Sequence, residues 1–307
     1  MAQTKMVKTN IVKKSIIKKS KARVIFEMLN YAFLATVALI CLYPVYYVIM
    51  ASVSDSNLLM QHSGLLFSPQ GLSFAAYERV FGNPMILIGY ANTLFLLVVG
   101  VSTSLVMTSL GAYFLSRKNI MWKKPIMMMI VFTMFFSGGM IPFYLNLRDL
   151  NLTRSLWGLV FPFMVNTYNL IILRTSFEAI PESLMEAAKI DGAGHIRVLI
   201  KVVLPLSKAI LAVMVLYYGI SIWNGWFWAS TILRERTMYP LQVVLREILL
   251  QNSVSSMTLG VDAGDQESVA ATVKYATIVI ATVPILFVYP FLQKYFTAGV
   301  MVGAVKE

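Results

Sequence analysis

Six stretches of this chain contain no Asp, Glu, Lys, Arg or His and are long enough to cross a bilayer. They are residues 28–54, 82–116, 125–147, 155–173, 209–233 and 275–293. A crossing helix needs about 20 apolar residues, so the pattern predicts an all-α membrane protein of six transmembrane helices. Composition agrees: 58% of the residues are hydrophobic and only 13% are charged, against about 25% charged in soluble domains. A soluble chain of this kind has too little charge to cover its surface. The second stretch is longer than one helix needs, and its helix is expected at about 90–114, after the breakers Gly82, Asn83 and Pro84. The fourth and sixth stretches fit only with little tilt. The first exceeds the roughly 7–15 apolar residues of a signal-peptide core and reads as a retained helix.

The connections orient these helices. Nineteen of the 26 Lys and Arg residues fall on the side that carries both termini, eight of them before Phe26, and seven fall on the other side. Cytoplasmic segments carry the excess of Lys and Arg, so both termini are expected in the cytoplasm. The net charge of +12 therefore reads as topology, with the basic tail resting on anionic lipid, rather than as a nucleic-acid surface. The expected organisation is a basic tail 1–27, a six-helix domain 28–296 whose long loop 174–208 is cytoplasmic, and a cytoplasmic tail 297–307.

The six stretches hold no ionisable side chain of the kind that relays a coupling proton or ion. No nucleophile sits with a base, no Cys/His set has metal-ligand spacing, and the lone Cys41 reads as a small packing residue. No phosphate-binding G-x-x-x-x-G-K-[ST] loop is present, so uphill transport would draw its energy from a partner. The stretches do hold uncharged polar and aromatic residues: Asn92, Thr93, Asn166, Tyr168, Asn169, Trp223, Asn224, Trp226 and Trp228. Amides that hydrogen-bond and rings that stack suit a neutral, hydroxyl-rich solute. The same residues equally suit an interfacial tryptophan belt and amide bonds between helices.

The loop 174–208 carries the densest pattern. Pro181 suits a helix start, and Glu182 and Glu186 sit near its positive end. Leu184, Met185, Ala188 and Ile190 give it an apolar face. Asp191-Gly192 breaks the helix, Gly192 being suited to a left-handed turn. A second short helix is expected from about Gly194 to Val203, stopped by Pro205.

Glu186-Ala187-Ala188, three residues, Gly192, nine residues, Val202, one residue and Leu204-Pro205 resemble the EAA loop of ABC-importer permeases. Asp191 and Ala193, flanking Gly192, agree with that pattern, whereas Val202 stands where the family usually has Ile. The resemblance implies the type I ABC-importer permease fold and a coupling helix that docks into an ATPase. Glu186, Ala187, Ala188, Asp191, Gly192, Ala193, Leu204 and Pro205 would form that docking loop. Over nearly the whole chain the sequence resembles the maltose-permease branch of carbohydrate importers, on Asn92-Thr93 and Trp223-Asn224 as well as the loop. Its ending, 293–306, resembles complex-polysaccharide and lipoprotein-type permeases. The segment 246–274 resembles the outward loop that probes the binding protein.

The resemblance further implies alternating access for an oligosaccharide, in the plasma membrane of a prokaryote. The implied partners are a second, different permease chain, a dimer of ATPase subunits and an extracytoplasmic solute-binding protein. No cofactor is expected in this chain, ATP and Mg residing in the ATPase. Asn92, Thr93, Asn169, Trp223, Asn224 and Trp226 are the expected path residues. Two other readings compete: the same machine with a non-sugar cargo, and a membrane scaffold without transport, which has no need of the EAA spacing.

Overall fold

The computed structural model describes residues 21–118, 120–258, 272–287 and 290. The tail 297–307, most of the tail 1–27 and the centre of the segment 246–274 lie outside them. Helices dominate, and among the described residues the one β-type contact is an isolated bridge between Ser54 and Leu72. In hydrocarbon a helix pairs its backbone groups within itself, which is why apolar sequence of this length becomes helical rather than extended.

Eleven helices carry the account. They are α1 (Lys21–Ser52), α2 (Pro84–Ser116), α3 (Lys123–Phe135), α4 (Met140–Asp149), α5 (Thr167–Glu178), α6 (Glu182–Ile190), α7 (His195–Leu206), α8 (Lys208–Trp223), α9 (Trp226–Ile232), α10 (Leu241–Thr258) and α11 (Thr272–Phe287). The chain divides after Tyr47 into two compact units. The first holds most of α1, whose apolar side chains, among them Phe26, Leu29, Phe33 and Leu39, are exposed. Cys41, expected in packing, is exposed here too.

The second unit is built on α2. This helix starts at Pro84, earlier than the sequence reading placed it. The Asn83 side chain accepts the N–H of Met85 at 3.0 Å and Pro84 takes the first turn. Of the three breakers, Asn83 and Pro84 thus start the helix, while Gly82 ends the short helix Ala75–Phe81 before it. A widened π turn, Leu96–Gly100, lies midway. One end of α2 packs against α10. A Cβ on Gly89 would stand 3.1 Å from the Leu241 Cα, so the two backbones meet as small residues allow between membrane helices. Here Ile86, Trp223, Leu245 and Ile280 form one core. The other end of α2 packs on α5, where Ala112, Leu173, Phe177, Val198 and Met214 form a second.

Among the described residues two helices, α1 and α2, are each long and apolar enough to cross a membrane. The other uncharged stretches are broken. Residues 125–147 split into α3 and α4, bent by 113°, because Gly139 takes φ +88°. Residues 155–173 contain a short helix Trp157–Val160, a 3-10 turn Phe161–Phe163 around Pro162, and then α5. Residues 209–233 break at Asn224-Gly225, between α8 and α9. Of 275–293, α11 accounts for residues up to Phe287.

Pro205 does not stop α7. A π turn, Leu199–Val203, precedes it, and the helix runs to Leu206 before an 88° bend at Ser207 into α8. Proline lacks an N–H and crowds the carbonyl four residues back. The wider turn moves that carbonyl aside.

Candidate functional site

The α6–α7 hairpin is a turn of defined geometry. Asp191 caps α6 and Gly192 follows at φ +75°. The N–H of Gly192 donates to the Lys189 carbonyl at 2.9 Å, and that of Ala193 donates to the Ala188 carbonyl at 2.9 Å. This pair of bonds is the Schellman closure, which satisfies the last carbonyls of a helix through one left-handed residue.

The base of the hairpin is fastened. Met185 is buried in the α2–α5 core, and Ala188, Ala193 and Leu204 pack on its edge. At the end of α2, the Arg117 guanidinium lies 4.8 Å from the Tyr113 ring centroid. It also donates to the Ser116 hydroxyl at 2.8 Å and contacts the Met185 sulfur. Lys118 donates to Glu182 at 2.5 Å. That hydrogen bond raises the Lys118 pKa and holds the Glu182 carboxyl below its ordinary value. Beside them, Lys123 and Arg174 both reach Glu178 at 2.9 Å. Burial works to raise Glu178, but these two hydrogen bonds outweigh it and hold the carboxyl down.

The tip of the hairpin is free. Glu186, Ala187, Asp191, Gly192 and Pro205 are all exposed. Of the apolar face expected on α6, only Met185 and Ala188 turn inward. Leu184 is exposed, and Ile190 is 86% exposed, because α6 lies on the core along a narrow stripe. Pro181 precedes α6 as its cap rather than occupying its first turn.

The expected path residues scatter. The Asn92 amide donates to the carbonyls of Thr237 (2.8 Å) and Tyr239 (3.1 Å). Thr93 is buried and its hydroxyl accepts the Leu241 N–H at 2.9 Å. Trp223 is buried and donates to the Ala281 carbonyl at 3.2 Å. Asn224 is exposed at the α8–α9 break, and Trp226 lies under the Arg246 guanidinium at 3.4 Å. Only Asn169 of the six lines a cavity of about 590 Å³ between α2, α5 and α8.

Sequence reasoning missed Arg117 and Lys118 as fasteners of the hairpin, although a basic pair directly after an uncharged helix was legible. It also missed Ser104, Tyr217 and Ser221 on the cavity wall. Their signal was spacing: Gly100 and Ser104, and Tyr217 and Ser221, stand four apart and so share a helix face.

A family model described as "Binding-protein-dependent transport system inner membrane component" matches residues 110–302. The chain belongs to this family of transport permeases. It is a membrane-embedded permease subunit of an ABC-type importer. It is 40% identical over 287 residues to the polygalacturonan/rhamnogalacturonan transport system permease protein YtcP of Bacillus subtilis (strain 168), covering 92% of this chain and 98% of that one. Protein LplC of the same organism is 37% identical over 94% of this chain and 97% of its own length. Among solved structures, a crystal structure of a bacterial ABC transporter that imports the acidic polysaccharide alginate aligns with TM-score 0.81 and 38% identity. It covers 91% of this chain and 99% of its own. The type I ABC permease fold implied by the EAA spacing follows from that match.

Proposed function

We propose that this permease forms one wall of the translocation path for an oligosaccharide and that the α6–α7 hairpin is its ATPase-docking element. The observation that carries the docking reading is the contrast within the hairpin. Its base is held by Met185, Arg117 and the Lys118–Glu182 pair, while Glu186, Ala187 and Gly192 project freely. A short, capped helix of this kind transmits force without bending, and its free tip suits a groove in another protein. ATP-driven closure of two ATPase subunits would then rotate the permease helices as rigid bodies.

The six uncharged stretches support six crossings, four of them bent or short. The Lys and Arg distribution supports cytoplasmic termini and a cytoplasmic hairpin. The relatives' printed cargoes, polygalacturonan and alginate, support a sugar polymer fragment, and so does the absence of charge in the crossings. The partners in this reading are a second permease chain, an ATPase dimer that supplies ATP and Mg, and a solute-binding protein.

ATP hydrolysis by the purified complex in lipid, with its binding protein and a panel of oligosaccharides, tests the reading. Stimulation by one glycan class, removed by Glu186→Arg, is expected. A complex that holds an ATPase but answers no glycan points to another cargo, and a chain that binds no ATPase points to a scaffold.

A further inference from the structure

Arg246, on α10, is a cation held in one direction without a counter-ion. Its guanidinium carbon stands 3.4 Å from the centroid of the Trp226 ring. Trp226 is itself braced edge-on by Phe227, with centroids 5.6 Å apart. A stacked guanidinium spends its flat face and keeps the N–H donors around its edge. Among the described residues no carboxylate pairs with it. Glu247, the next residue, is taken by Arg236 at 2.7 Å. A fixed guanidinium with its donors unspent fits an oxyanion that can accept two of them side by side.

The surroundings say what else that anion carries. Arg246 heads a groove of about 350 Å³ between α10 and α11. Thr277 borders it, but its hydroxyl is spent on the Val273 carbonyl at 2.7 Å. Leu245, Leu249, Ile278 and Ala281 make an apolar floor. Such a floor gives a hydroxyl-rich solute little to bond and gives a hydrocarbon chain surface to cover. The groove also lies at a definite level. The start of α10 meets the first turns of α2, Leu241 against Gly89, while the α6–α7 hairpin sits at the other end of α2. Arg246 and Trp226 therefore stand towards the membrane face opposite the hairpin, where tryptophans and head groups share one layer.

We infer that this groove holds one anionic phospholipid, its phosphate on Arg246 and an acyl chain along Leu249, Ile278 and Ala281. Charge complementarity selects the head group, and the apolar floor selects a lipid over a carboxylated sugar, which would satisfy the guanidinium alone. The bound lipid ties α10 to α11. The inference stands apart from the cargo and docking readings, because it uses neither the sugar nor the hairpin's partner.

The test uses the complete complex, extracted in mild detergent and supplied with phosphatidylglycerol and phosphatidylcholine of matched chains. Native mass spectrometry counts the lipids that stay on the intact complex. The unaltered complex should keep one more phosphatidylglycerol than Arg246→Gln, and titration should show that binding weakened about tenfold or more, the worth of a hydrogen bond from a charged group. Leu249→Trp fills the groove, leaves the guanidinium in place, and should lose the same lipid. Only assembled complexes are weighed, so a lower yield of either variant does not imitate the result. Equal lipid counts in the unaltered complex and both variants overturn the inference. So does phosphatidylcholine held equally well, or displacement of the lipid by digalacturonate, which would assign Arg246 to the sugar instead. An unaltered complex that keeps no phosphatidylglycerol overturns it without any variant.

Discussion

The N–H of Ala193 donates to the carbonyl of Ala188 across 2.9 Å, and the bond closes because Gly192 between them sits at φ +75°. A Cβ at Gly192 would meet nothing within 4 Å. Substitution there is therefore penalised by backbone conformation alone, by about 1–2 kcal/mol for most side chains.

The series at Gly192 follows. Asn and Asp tolerate the left-handed region better than Ala, and Ala better than Val. Gly192→Asn should keep most glycan-stimulated ATPase activity, and Gly192→Val should lose most of it. Gly192→Asp should abolish import more through its added charge at the exposed tip than through the turn. Equal activity across the series in reconstituted complex would refute the docking role.

Thr93 answers to stability. Thr93→Val leaves the buried Leu241 N–H without its acceptor, at a cost of about 1–3 kcal/mol. Thr93→Ser keeps the hydroxyl and should melt close to the unaltered protein. Thermal unfolding in detergent, read side by side for the two variants, checks this.

Arg117 joins the end of α2 to α6 through Tyr113, Ser116 and Met185. Arg117→Met should cost about 1–2 kcal/mol, as expected for a hydrogen bond from a charged group. It should also lower transport per ATP, because the hairpin then moves without carrying α2. Measuring uptake and hydrolysis on the same vesicles separates that outcome from simple destabilisation.

Glu178 sets an acid limit. Its carboxyl is held below its ordinary value of 4.5, with Lys123 and Arg174 outweighing burial. A depressed folded pKa contributes stability that is full above the unfolded value and is lost as pH falls through the folded one. Melting temperature should therefore drop below about pH 4.5, and Glu178→Gln should flatten that part of the curve while lowering the plateau. An unchanged acid limb in Glu178→Gln counts against the pairing.

The helical membrane character and the docking loop were legible because each rests on something linear. Absence of charge over a long run needs only counting, and the spacing from Glu186 to Pro205 lies within one hairpin. Interruptions were harder to read. The bend at 136–139 depends on the φ of Gly139, and nothing in an apolar run distinguishes a glycine that turns from one that packs, as Gly89 does. Pro84 and Pro205 illustrate the same difficulty: one begins a helix after a capping Asn83, and the other is tolerated behind a π turn. Polar residues within the runs were ambiguous for a physical reason. An amide in a membrane helix looks the same in the sequence whether it bonds a neighbouring turn, as Asn92 does, or lines a cavity, as Asn169 does. Only the fold brings Thr237 to one and a cavity to the other.

The wall of neutral amides, hydroxyls and rings between α2, α5 and α8 has an electrical consequence. A surface without fixed charge moves none when helices rotate, so movement of this wall alone does no work against the membrane voltage. If the passenger crosses beside this wall, any voltage dependence of its import belongs to the passenger itself: none for a neutral oligosaccharide, and a measurable one for a uronate oligomer, whose carboxylates carry their own charge across the field.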